Sequence, residues 1–278
     1  MVNTRRDYSA ELVQAARAVL IEVMHVLGEY RGEIVLVGGW VPELLLPQAR
    51  QRHVGSIDID LALDHRRFPP SGYHKLKQLL ESRGYREGGQ PYIFFRTVIV
   101  GDRPIEVEVD FLAGEHEGTG KGHRTQPVQD VRARKARGCE LAFELSKEIT
   151  VTGALPGGGQ DSVRVRVASV VPFLVMKANA LSDRMKEKDA WDICYCLRNF
   201  PGGVRAIAEE FHPHRDNGLV REAMVKLREK FASPEHVGPK FVADFEEAAD
   251  AEERARLQRD AFEQVNYLVN HVQAERGC

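Results

Sequence analysis

Long apolar runs are missing from this sequence, and no stretch approaches the ~18 residues that a membrane span needs. A dominant charge is missing too. Lys and Arg number 39 against 41 Asp and Glu, for a net charge of −2. No overall field therefore draws the chain to nucleic acid, and any such partner must be met by local patches. Cysteine is scarce: four residues, at 139, 194, 196 and 278, with neither zinc nor secreted-framework spacing. Cys194 and Cys196 lie two apart in a helical pattern and so point in different directions. Free thiols in a reducing, cytoplasmic setting are expected. No apolar segment follows Met1–Asp7, so a signal peptide is not expected. Internal repeats and low-complexity segments are absent, and beyond residue 203 there is no Walker loop, zinc motif or nucleophile–base pair.

What is present describes an ordinary globular chain. Its 278 residues, 43% hydrophobic and 29% charged, suffice for one large domain or two. The informative stretch is Ser56-Ile57-Asp58-Ile59-Asp60-Leu61-Ala62-Leu63. Read as a strand it alternates with period two, so Ile57, Ile59, Leu61 and Leu63 share one face and Asp58, Asp60 and Ala62 the other. Two carboxylates on one face of an apolar strand are costly to desolvate alone. Hard oxygen donors of this kind suit Mg²⁺ or Mn²⁺, while an edge strand with a solvated acidic face is the plainer alternative.

A second strand pattern, Pro104–Leu112, places Glu106, Glu108 and Asp110 on one face and Ile105, Val107, Val109 and Phe111 on the other. If the two strands pair, Asp110 joins Asp58 and Asp60, and three carboxylates suit two metal ions about 4 Å apart. Just upstream, Ile34–Val37 reads as a buried strand, Gly38-Gly39 as a turn and the following residues as a short helix. Such a turn lets backbone N–H groups approach an anion.

This order of strand, Gly-Gly, helix, Asp-x-Asp strand and later Asp strand resembles the nucleotidyltransferase superfamily with the polymerase-β-like core. Within it the chain is most similar to the AbiEii/MenT-type nucleotidyltransferases, toxins of bacterial toxin–antitoxin systems. The matching residues are Gly38-Gly39, Asp58-Ile59-Asp60, Asp110 and the segment from Lys177 through Arg184, Lys188, Asp189 and Asp192, so the resemblance covers roughly residues 30–200. It implies a mixed α/β fold with a mixed sheet and a helical C-terminal region. It also implies transfer of a nucleoside monophosphate from an NTP to an acceptor hydroxyl with release of pyrophosphate. Asp58, Asp60 and Asp110 would be metal ligands and catalytic residues. Gly38 and Gly39 would cradle phosphate, Lys177 would be a further catalytic residue that neutralises the triphosphate, and Arg184, Lys188 and Asp189 would serve the nucleotide. An RNA acceptor such as a tRNA 3′ end and an antitoxin partner are implied as well, with no role for a membrane. A small-molecule acceptor, as in antibiotic nucleotidyltransferases, stays open, as does a non-catalytic binding module.

The remaining pattern divides the chain into 1–168, a catalytic core with an N-terminal helix, and 169–278, a helical region. Helices are expected over 9–28, 40–46 and 71–83, and strands over 33–37, 56–63, 92–100 and 104–112, with a hairpin at 147–168. Residues 113–138 change character: 114–124 read as a mobile Gly-rich loop that carries His116, followed by a basic cluster, Arg132, Arg134, Lys135 and Arg137. Linker residues Arg50, Arg52 and His53 read more readily as a solvated basic loop than as triphosphate contacts. Arg164 and Arg166 are expected to pair with acidic neighbours across the hairpin. A helix begins at Ser169. If it ran on, Lys177, Arg184 and Lys188 would share one face, either meeting a triphosphate or lying solvated. Trp191, Ile193, Tyr195 and Leu197 read as core, and later helices are expected over 204–211, 218–231, 239–257 and 258–275.

Overall fold

The computed structural model describes residues 4–68, 75–115 and 125–273. The fold is mixed α/β. It divides into two compact units, one formed by residues 8–44 and 55–169 and the other by 1–7, 45–54 and 170–278.

The first unit is built on a mixed sheet. Its strands are β1 (Ile34–Val37), β2 (Asp58–Leu63), β3 (Arg86–Glu87), β4 (Ile93–Val100), β5 (Arg103–Ala113), β6 (Thr125–Val128), β7 (Val131–Lys135), β8 (Ser146–Ala154) and β9 (Gln160–Ala168). The main order is β3-β4-β5-β2-β1-β9-β8, with β7 added beside β5 and β6 beside β7. Strand β1 is buried at all four positions, which is why it reads as an unbroken apolar run rather than an alternation. Gly101, at φ 61°, supplies the positive φ that the two-residue turn between β4 and β5 requires.

Parity fixes the two faces of the sheet. Strands β2 and β5 run parallel with Ile59 beside Val109 and Asp60 beside Asp110, so the apolar residues of both strands fall on one face and the acids on the other. Helix α1 (Ala10–Val26) covers the apolar face. It is capped by Ser9, whose side chain accepts from the Leu12 N–H. Glu22 on α1 receives two bonds from Arg96 of β4, at 2.8 and 3.0 Å, and Arg17 donates to the Thr152 carbonyl of β8 at 3.1 Å. Beneath the helix Ile59, Leu61, Val109, Phe111, Val165 and Val167 are fully buried.

Several local expectations need correction. Of the stretch read as a mobile loop, residues 116–124, His116 among them, lie outside the described residues; the basic cluster after it begins on β7 of the hairpin β6–β7. The helix expected over 71–83 is α3 (Leu76–Ser82), and 71–74 lie outside the described residues. Arg166 does not pair with an acid across the hairpin. Its guanidinium donates to the Phe143 carbonyl of α4 (Cys139–Glu144), the Gly32 carbonyl and the Ser146 hydroxyl, acceptors that stand where the acid was expected.

The second unit is helical: α5 (Val170–Arg184), α6 (Glu187–Asn199), α7 (Gly203–Phe211), α8 (Gly218–Lys230), α9 (Val237–Phe245) and α10 (Ala251–Gln273). The boundary expected at 257/258 falls instead at Glu246–Asp250. The Asp250 carboxylate accepts from the Glu253 N–H at 2.8 Å and starts α10 there, an Asp-x-x-Glu start signal inside the apolar periodicity. The core expectations for Trp191, Ile193, Tyr195 and Leu197 hold, since all four are buried. Cys139, Cys194 and Cys196 are free and buried. No helix among the described residues is long and apolar enough to cross a membrane.

Candidate functional site

On the acidic face of the sheet, Asp58 lies beside Glu108 and Asp60 beside Asp110 in the parallel register, so four carboxylates from two neighbouring strands share this face. Their side chains have individual surroundings. Asp58 Oδ1 accepts from the Ser56 hydroxyl. The Asp58 carbonyl accepts from Trp40 Nε1 at 2.9 Å, and because Trp40 is fully buried this bond fixes β2 against the turn after β1. Asp110 is buried, and its Oδ2 accepts from Arg134 Nη2 at 2.7 Å.

Asp60 defines the role of Gly38. Gly38 holds φ +70°, and a Cβ built on it would lie 1.9 Å from Asp60 Oδ2 and 2.9 Å from Asp60 Cβ. Only glycine fits, for two independent reasons: the left-handed backbone and the carboxylate pressed against its Cα. Gly38 and Gly39 form a 3₁₀ turn with Trp40 that leads into α2 (Val41–Leu45). The expected Gly-Gly turn therefore stands directly against the expected Asp-x-Asp strand.

The donor chemistry of Asp58, Asp60 and Asp110 fits a hard divalent cation: carboxylate oxygens on one face of in-register strands beside a cradle that a side chain would fill. As the side chains stand, Asp58 is turned to Ser56 and Asp110 to Arg134, and among the described residues no group of three or more His, Cys, Asp or Glu is arranged to hold a metal ion.

The second constellation lies within the helical unit. Lys177, Arg184 and Lys188 do not share a helix face, because α5 ends at Arg184 and Met185 turns the chain at φ +52° before α6 begins at Glu187. The cations instead surround two carboxylates of α6. Lys177 Nζ is 2.7 Å from Asp189 Oδ1 and 2.7 Å from Asp192 Oδ2. Arg184 donates to both oxygens of Asp189, at 2.7 and 2.8 Å, and Lys188 to both oxygens of Asp192, at 2.8 and 3.0 Å. His53, from the linker, meets Asp192 Oδ1 through Nε2 at 2.9 Å and sits against Trp191 and Tyr195, with centroids 5.0 and 4.8 Å away. The linker is held there by the Tyr195 hydroxyl, which donates to the Gln51 carbonyl.

The electrostatics follow from burial and contact. Burial raises a carboxyl pKa, yet Lys177 and Arg184 outweigh it at Asp189 and hold that group at about 2. At Asp192 burial is likewise outweighed by Lys177 and Lys188, and the group stays well below the usual range. Burial works against the charged form of Lys177, but Asp189 and Asp192 reverse that and raise it. His53 is lowered to about 4 by burial and then by Lys188, against the opposing pull of Asp192. It is neutral at pH 7, with Nε2–H donated to the carboxylate. Arg184 has 45% of its side chain exposed, while Lys177 and Lys188 are buried.

One alternative for Lys177 falls, and the expectation for His53 needs correction. Lys177 is not a solvated helix charge, because its ammonium is enclosed by two aspartates. His53 is not part of a solvated loop. Arg134 and Ser56 escaped the sequence reading as neighbours of the acidic face. For Arg134, no local pattern announces that β7 pairs with the end of β5.

A family model described as "Nucleotidyl transferase AbiEii toxin, Type IV TA system" matches residues 26–266. No curated protein and no solved structure matches the chain.

Proposed function

The chain belongs to the AbiEii nucleotidyl transferase toxin family, and on that premise we propose that it transfers a nucleoside monophosphate from an NTP to an acceptor hydroxyl on RNA, such as a tRNA 3′ end, as a cytoplasmic toxin restrained by an antitoxin. The observation that carries this reading is the in-register pairing of Asp60 with Asp110, together with the Gly38 cradle against Asp60.

In this reading Asp58, Asp60 and Asp110 hold Mg²⁺ or Mn²⁺, which when bound neutralises phosphate charge and lowers the pKa of the acceptor hydroxyl. Trp40 and Ser56 fix the backbone and carboxylate of Asp58. The N–H groups of the Gly38–Gly39 turn face the anionic phosphates. The Asp110 carboxylate accepts the acceptor's proton; the freed oxygen bonds to the α-phosphorus, and the bond to pyrophosphate breaks with its electron pair leaving on pyrophosphate. Within the helical unit, the exposed guanidinium of Arg184 suits a phosphate-bearing ligand, while Lys177 and Lys188 hold Asp189 and Asp192.

The test is incubation with each α-labelled NTP, total RNA and Mg²⁺. Label in RNA that disappears with Asp60→Ala supports the reading. Mg²⁺-dependent NTP binding without transfer would leave a binding module, and label appearing only in small molecules would move the acceptor to that class.

A further inference from the structure

Arg134 occupies a position for which the expected chemistry does not account. Its guanidinium lies between the Asp110 carboxylate, 2.7 Å away, and the ring of Tyr92, whose centroid is 5.8 Å from Cζ. Both partners are fixed. Tyr92 extends the line of β4, its carbonyl accepting from the Phe111 N–H at 2.9 Å, and Asp110 is held in the register of β2 and β5. Arg134 itself is placed by the parallel pairing of β7 with the end of β5, where Leu112 stands beside it. The Arg134 side chain remains 37% exposed, so a ligand can reach it.

An arginine on a carboxylate expected to bind metal presents a conflict of charges. A divalent cation at Asp110 repels the guanidinium beside it, while the neighbouring Asp58, Asp60 and Glu108 attract both. Tyr92 resolves the conflict, because its ring face can keep the guanidinium nearby once Asp110 is taken. A planar fork held beside a carboxylate site is then suited to bind phosphate through two parallel N–H···O bonds.

Resting on the nucleotidyltransferase reading above, we propose that Arg134 is a triphosphate-binding residue that occupies Asp110 in the absence of metal and exchanges Asp110 for the phosphate oxygens of the NTP when metal binds.

The experiment uses the full chain and calorimetric titration with Mn²⁺ alone, then with ATP, CTP, GTP and UTP separately in saturating Mn²⁺. The variants are Arg134→Gln, Arg134→Lys and, as a control that removes the same charge from the same strand, the exposed Arg132→Gln. Arg134→Gln is expected to bind Mn²⁺ about three- to tenfold tighter, since a half-exposed ion pair no longer has to be broken. It is expected to bind the preferred NTP at least about tenfold more weakly, the loss of a charge-assisted contact to phosphate. Arg134→Lys restores the charge without the fork and falls between, and Arg132→Gln matches the parent. Unchanged Mn²⁺ affinity or unchanged NTP affinity in Arg134→Gln, with the parent binding both, overturns the role of Arg134 alone. A parent protein that binds neither Mn²⁺ nor any NTP overturns the nucleotidyltransferase reading and this proposal together.

Discussion

Replacing Lys177 by alanine should destabilise the protein without any ligand present. The ammonium makes two contacts of 2.7 Å, to Asp189 and Asp192, with its side chain 8% exposed. Breaking a buried pair by deleting one partner costs about 3–5 kcal/mol when the remaining charge is left uncompensated. Here it is not fully uncompensated, because Asp189 keeps Arg184, and Asp192 keeps Lys188 and His53. The cluster falls from three cations against two carboxylates to two against two. Two charge-assisted bonds are lost, while the desolvation cost of one buried ammonium is no longer incurred, so a net loss of about 2–4 kcal/mol is expected. At roughly 2–4 °C per kcal/mol for a domain of this size, that lowers Tm by about 4–16 °C. Lys177→Met, which keeps the aliphatic stem packed, should lose less than Lys177→Ala. The assay is urea denaturation at pH 7 with the m-value checked for constancy. A double-mutant cycle with Asp192→Asn then isolates the pairwise term, and the combined loss should be smaller than the sum of the single losses. A Lys177→Ala protein within about 0.5 kcal/mol of the parent, or a strictly additive cycle, would refute the enclosed-cation argument.

Gly38→Ala should abolish transfer and destabilise by about 1–3 kcal/mol, because the new Cβ is strained at φ +70° and displaces the Asp60 carboxylate; paired activity and melting measurements check this, and an active Gly38→Ala enzyme would count against the cradle. Asp60→Ala should also abolish transfer, yet leave the fold as stable or more stable, since it removes one of several like charges on a sheet face; denaturation of the purified variant decides. His53 has its folded pKa lowered from 6.5 to about 4, so its contribution to stability is complete above pH 6.5 and is lost as pH falls toward 4, where the unfolded chain binds a proton that the folded one does not. The slope is at most about 1.4 kcal/mol per pH unit, and it should be missing from the denaturation profile of His53→Gln. Met185→Gly should raise stability by about 0.5–1 kcal/mol by relieving a left-handed non-glycine residue at the end of α5, read as a rise in Tm.

The parts of the molecule legible in the sequence are those governed by short periods. Alternation places Asp58 and Asp60 on one strand face and Asp110 on another, and a one-residue slip would bury acids under α1, so the common face follows once the strands pair. What stayed hidden depends on pairings that no local pattern carries. Arg134 reaches Asp110 only because β7 joins β5 across residues distant in sequence. Lys177, Arg184 and Lys188 fall on one face only of a continuous helix, whereas Met185 and Lys186 break it without a glycine or proline to mark the break. His53 was read from its polar neighbours, yet the segment 45–54 belongs to the helical unit, where Asp192 and Tyr195 enclose it.

The two groups of carboxylates also bear on which of them does chemistry. In the helical unit, Asp189 and Asp192 are buried and surrounded by three cations and a histidine, so the sequence has provided each with partners at short distance. Such a cluster orders α5, α6 and the 45–54 linker and leaves Arg184 as its outward charge. On the sheet face four carboxylates, Asp58, Asp60, Glu108 and Asp110, stand side by side on adjacent strands, with the Ser56 hydroxyl at Asp58 and Arg134 at Asp110. Like charges at strand spacing are unfavourable for folding, and a neutral residue at 58, 60 or 110 would serve the sheet better. Local choices that oppose the stability of the fold point to function. Gly38 sharpens the inference, because its missing side chain leaves room for the Asp60 carboxylate, which the sheet itself does not require. Adjacent acids are therefore concentrated where the proposed transfer needs negative charge, while Asp189 and Asp192 are enclosed by Lys177, Arg184, Lys188 and His53.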